Sequence, residues 1–154
     1  MPYEPGAVAL RPTAPVSRAG RARMIKLLLA DARPEVRRGL RMWLGLQPDV
    51  TVVGETDDND ELLAMVREQQ PDVVVLDVAL LKGDPLAAAA AVREAAPRSL
   101  VVLLGVSDDV ALRARAPAAG AVFLCKQEPC DQLLAALRQA VDRQAGPGGP
   151  TTVV

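Results

Sequence analysis

The stretch Asp72–Pro85, DVVVLDVALLKGDP, decides the fold. Three valines and a leucine run together without the in–out alternation of a half-exposed strand. Such a run reads as a strand covered on both faces, the pattern of a parallel sheet between two layers of helices. Asp77 closes it, an ionisable group at the end of a segment that looks buried. The stretch Met24–Glu35, MIKLLLADARPE, repeats the pattern with Asp31. Two acids at two strand ends raise the question of a single site.

Working outward, strand-like and helix-like segments alternate five times. Ile25–Ala30 leads to a helix opening at Pro34, with Glu35 favourable beside its N-terminal dipole. Val36, Leu40, Trp43 and Leu44 follow at helical spacing, and Arg37, Arg38 and Arg41 fall on other faces, read as a solvated surface. The second unit is VTVVGE, from Val50, with a helix out of the Asp57–Asp60 acidic cluster. The third is DVVVLD with the alanine-rich helix after Pro85. The fourth is LVVLLGV, from Leu100, with a short helix opening near Ser107 and Asp108, in which Pro117 is awkward. The fifth is AVFLC, from Ala121, with a helix entered at Pro129.

Five successive units predict an α/β fold, a doubly wound five-stranded parallel sheet. With the flavodoxin-like order 2-1-3-4-5, strand order reverses between the first and third strands, where ligands sit outside the carboxyl ends. Asp31 and Asp77 end those two strands, so they are expected to face one another. Residues 1–23, rich in Pro, Gly, Ala and Arg, read as a disordered extension, and 145–154 as a flexible tail. The ordered domain is expected over 24–144, with Met24 as a candidate initiator.

Composition narrows the chemistry. The 154 residues are 50% apolar and 24% charged, which suits one soluble globular domain. A net charge of −1 argues against a general electrostatic partner such as DNA or an anionic membrane. There is no histidine, which removes imidazole catalysis and His-based zinc sites. Cys125 and Cys130 are not spaced as a redox pair and read as reduced thiols. Neither a dinucleotide glycine fingerprint nor a Walker loop follows any strand, and the glycine-flanked nucleophile elbow is missing. An enzyme with its own small-molecule substrate is therefore not expected.

The residues that remain carry a resemblance. LLLADARPEVRRGL (from Leu27), VVGE (from Val52), PDVVVLDV (from Pro71) and FLCK (Phe123–Lys126) resemble, in order and spacing, the receiver domain of bacterial response regulators. The similarity is to the branch usually fused to a LuxR-type helix-turn-helix. It implies a cytoplasmic phosphoprotein of a two-component system in which Asp77 accepts a phosphoryl group from a sensor histidine kinase. It implies Mg²⁺ held by Asp31, Asp77 and the main-chain carbonyl of Ala79, with Lys126 on a phosphoryl oxygen. It also implies a switch between the end of the fourth strand and Phe123.

The chain departs from that pattern in its acidic pocket and its switch. Asp31 is followed by Ala32 where the family has a second acid, and Gly105 stands where it has Ser or Thr. Loss of a ligating carboxylate predicts weak Mg²⁺ binding, since even a supporting group is worth about 10–100-fold in affinity. Asp31 reads equally as an acid capping the first helix. Phe123 is expected to be a fixed core aromatic, with a hydroxyl at 105 and an acid at 32 needed to restore switching. The expected function is an atypical receiver acting as a stand-alone protein-interaction module with weak or no phosphorylation. A Mg²⁺-dependent phosphoacceptor, part of a transcriptional regulator, is the alternative. The expected partner is a histidine kinase or another signalling protein, with a homodimer left open. About ten residues after the last helix cannot house a helix-turn-helix, so this chain is not expected to contact nucleic acid directly.

Overall fold

The computed structural model describes residues 24–126 and 130–145. The expected extension at 1–23, the entry at Pro129 and the tail from 146 lie outside the described residues. Five parallel strands, β1 Ile25–Ala30, β2 Val50–Thr56, β3 Val73–Asp77, β4 Leu100–Gly105 and β5 Ala121–Cys125, lie in the order β2-β1-β3-β4-β5. Each is followed by a helix: α1 Pro34–Gly45, α2 Asn59–Gln69, α3 Pro85–Ala95, α4 Val110–Arg115 and α5 Cys130–Ala145. This is the doubly wound, flavodoxin-like sheet that the apolar runs predicted.

The valine run behaves as read. Every residue of β3 is buried, and Val73–Leu76 are at most 1% exposed. Alternate residues serve the two faces, as strand periodicity requires. Val74 and Leu76 pack with Leu62 and Val66 of α2, Ala89 and Val92 of α3 and Leu112 of α4. Val73 and Val75 pack on the other face with Leu44 of α1 and Leu133 and Leu137 of α5, with Trp43 against that cluster. Each fully buried Val or Leu contributes about 1.5–3 kcal/mol, so the central strand anchors both layers.

Helix starts follow local chemistry. Asp58, Asp84 and Asp109 each accept a hydrogen bond from a backbone N–H in the first turn of α2, α3 and α4. α1 begins instead with Pro34 at its first position and has no side-chain cap. α4 opens at Val110, later than expected, because Asp109 rather than Ser107 or Asp108 is its cap. It ends at Arg115, and Pro117 falls in a separate 3-10 turn, Ala116–Ala119, closed by Gly120 at φ 74°. That arrangement spares the helix the missing proline N–H.

Candidate functional site

The parallel register brings the five strand ends to one edge. Ala30 pairs with Leu76, so Asp31 and Asp77 emerge from adjacent strands side by side. Gly105 pairs with Cys125, and the Lys126 N–H donates to the Gly105 carbonyl at 2.7 Å. Asp31, Asp77 and Lys126, far apart in sequence, therefore converge on one crevice.

Its geometry is that of two buried carboxylates sharing one ammonium. Asp31 and Asp77 are each 1% exposed. Lys126 Nζ lies 3.0 Å from Asp31 Oδ2 and 3.4 Å from Asp77 Oδ2. The remaining oxygens are held by backbone: Asp31 Oδ1 accepts from the Arg33 N–H at 2.9 Å, and Asp77 Oδ1 from the Ala79 N–H at 3.1 Å. Buried charges need both counter-charge and hydrogen bonds, and each acid has both. The balance is two negative charges against one positive, so the crevice can take further positive charge.

Asp31 does not cap α1. Its carboxylate turns the chain at Arg33 and holds Lys126, while α1 starts without a side-chain cap. Nor is Arg37 part of a solvated face. It donates to the Asp31 carbonyl at 2.7 Å and to Glu55 at 3.2 Å, and Arg41 bonds the other Glu55 oxygen. Arg37 thus braces the loop that carries Asp31. The signal was present in the i, i+4 spacing of Arg37 and Arg41, with Glu55 at the end of the neighbouring strand.

The donor set suits a hard cation in kind but is short in number. Mg²⁺ takes oxygen ligands, one or two of them carboxylates. Asp31, Asp77 and the carbonyl of Ala79, in the 3-10 turn Val78–Leu80, are the groups that would hold it. Bound there, it would balance the negative charge that Lys126 leaves over on the two carboxylates. Among the described residues no group of three or more His, Cys, Asp or Glu side chains is arranged to hold a metal.

The expected switch positions are also in contact. Gly105 and Phe123 are buried, and a Cβ built at Gly105 would lie 2.8 Å from Phe123 Cζ and 2.9 Å from Cε1. The aromatic ring therefore fills the space a side chain at 105 would need. A side chain added there requires the ring to shift. Ser107, two residues on, is exposed. A groove of about 830 Å³ lies between the starts of α2 and α3, lined also by Leu80 and Leu81. Two of its acids, Asp58 and Asp84, are helix caps.

The family description "Response regulator receiver domain" matches residues 27–138. An uncharacterized transcriptional regulatory protein of Bacillus subtilis, YxjL, is 33% identical over 79% of this chain and 56% of its own length. A protein-glutamate methylesterase/protein-glutamine glutaminase of Anaeromyxobacter dehalogenans is 32% identical over 82% of this chain and 33% of its length. Among solved structures, the signal receiver domain of the putative response regulator NarL from Mycobacterium tuberculosis superposes with a TM-score of 0.68. It shares 32% identity and covers 79% of this chain and 99% of that domain. The chain spans about half the length of the regulator it matches.

Proposed function

Because this chain belongs to the response regulator receiver family, we propose that it serves two-component signalling as an atypical receiver. In this reading it is a protein-interaction module whose Asp77 is phosphorylated weakly or not at all. The observation that carries the reading is the crevice inventory. Lys126 takes up an oxygen of each carboxylate, Ala32 adds no third acid, and Phe123 fills the space over Gly105.

Receiver domains typically bind Mg²⁺ at the phosphorylation site. With Asp31, Asp77 and the Ala79 carbonyl as the protein ligands among the described residues, binding is expected to be weak. Phosphoryl transfer would form a bond from an Asp77 oxygen to phosphorus as the bond to the donor imidazole breaks. The leaving nitrogen keeps the electron pair and takes up a proton. Lys126 would pair with a phosphoryl oxygen as a point charge. The chemistry depends on charge neutralisation, which a short ligand set supplies poorly.

The second reading, a Mg²⁺-dependent phosphoacceptor, is favoured by the same buried pair, which is positioned with Lys126 already beside it. Under either reading the partner is a histidine kinase or another signalling protein, and the chain works in the cytoplasm. No helix among the described residues is long and apolar enough to cross a membrane.

The test is incubation with acetyl phosphate and Mg²⁺, read by intact mass, with Asp77→Asn as the site control. Little or no labelling is expected for the unaltered chain, and more for Ala32→Asp. Full labelling of the unaltered chain that vanishes in Asp77→Asn would replace the first reading with the second.

A further inference from the structure

We propose that Gly105, Phe123, Arg113 and Asp108 form a latch that fixes α4 against β5. This deepens the reading of an atypical receiver, since it names what holds the face built by α4 and β5 in place.

The parts of the latch come from three elements. Phe123, on β5, is 2% exposed, and its ring occupies the space over Gly105 at the end of β4. Arg113, on α4, places its guanidinium 5.3 Å from the ring centroid, within the range of a cation–π contact. The same guanidinium donates to the Phe123 carbonyl at 3.3 Å and to Asp108 Oδ1 at 3.0 and 3.1 Å. One side chain therefore binds the aromatic ring, the backbone of β5 and the loop leading into α4.

The helix so held is short. α4 has six residues and sends one of them, Leu112, into the core. A helix of that length has little intrinsic stability, so a planar guanidinium with several fixed donors is a large part of what orients it. On the other side, an open cleft of about 450 Å³ separates the α4 loop from the turn after Asp77. Val78 and Ala79 line it together with Val106, Asp109 and Val110, and it reaches Gly105, Asp108 and Phe123 of the latch itself. The contacts that hold α4 are made toward β5. A change at Phe123 therefore acts on α4 directly, whereas Asp77 touches the latch by way of Lys126, which pairs with Asp77 and donates its N–H to the Gly105 carbonyl. Glycine at 105 is the condition for this state, because any Cβ there would press on the ring.

Amide hydrogen exchange tests the latch without any phosphoryl donor, so the result stands whether or not Asp77 is phosphorylated. Exchange of the α4 amides, Val110–Arg115, is followed in the full chain, in Arg113→Gln and in Gly105→Ala, with the β1 and β3 amides as internal reference. Arg113→Gln removes an exposed charge and is expected to leave the sheet folded. It should speed α4 exchange about ten-fold or more, in line with losing a charged hydrogen bond and a cation–π contact. Arg113→Lys keeps the cation but not the fork, so its acceleration should be intermediate. Gly105→Ala should speed α4 exchange and also move the Phe123 ring resonances. Unchanged α4 exchange in Arg113→Gln overturns the latch, even if Gly105→Ala proves too unstable to measure.

Discussion

Lys126 reaches Asp31 at 3.0 Å and Asp77 at 3.4 Å, so its ammonium serves both carboxylates where Ala32 adds no third. A hard cation entering this crevice meets two acids already engaged, which lowers the gain on binding. Restoring a carboxylate beside Asp31 addresses the deficit directly. Ala32→Asp should raise Mg²⁺ affinity about 10–100-fold, read by titration of amide shifts near Asp77, and Asp31→Ala should lower it. Tight binding by the unaltered chain that survives loss of Asp31 would remove the idea. Gly105 is a different case. Threonine there would meet the Phe123 ring at sub-contact distance, so Gly105→Thr with Ala32→Asp should displace the ring as well as supply a hydroxyl.

At the scale of elements, α5 is tied to the far end of the sheet by one ion pair. Asp49, between α1 and β2, is fully buried, and both its oxygens accept from Arg138 at 2.8 Å. The hydrogen bonds from Arg138 to Asp49 hold the guanidinium pKa above its ordinary value, against the opposing effect of burial. A raised pKa contributes stability below the unfolded value and loses it only as pH climbs through the folded one. For arginine that window is strongly alkaline, so its part of the clamp is constant near neutrality. Removing one partner leaves a buried carboxylate uncompensated. Arg138 is itself partly exposed, which moderates the loss, so Arg138→Met should cost roughly 2–3 kcal/mol. Urea denaturation should show a lower midpoint with an unchanged slope. A loss below about 0.5 kcal/mol would mean the pair behaves like a surface one.

For the whole molecule, the two core clusters of the described residues lie on opposite faces of the sheet. Residues 1–23 carry no core-facing period. A chain beginning at Met24 is therefore expected to keep the melting temperature of the full chain by calorimetry. A fall of more than about 3 °C, roughly 1 kcal/mol for a domain of this size, would mean the extension packs on the domain.

The order of strands and helices, the covered faces of β3 and the convergence of Asp31, Asp77 and Lys126 on one edge were legible in the chain itself. The reason is that apolar runs and helical spacing are local signals, and parallel strands bring their carboxyl ends together whatever lies between them. The absent acid at Ala32 and the absent hydroxyl at Gly105 were equally plain. The tertiary structure alone decided how those residues are used. Arg138 and Asp49 meet across 89 residues, beyond any pattern of spacing. Arg37 braces the loop of Asp31 because Glu55, next to the end of the neighbouring strand, holds its guanidinium. Phe123 lies over Gly105 because β4 and β5 are adjacent and glycine leaves room for a ring. Side-chain contacts of this kind depend on packing between elements, and a one-dimensional pattern carries no record of it.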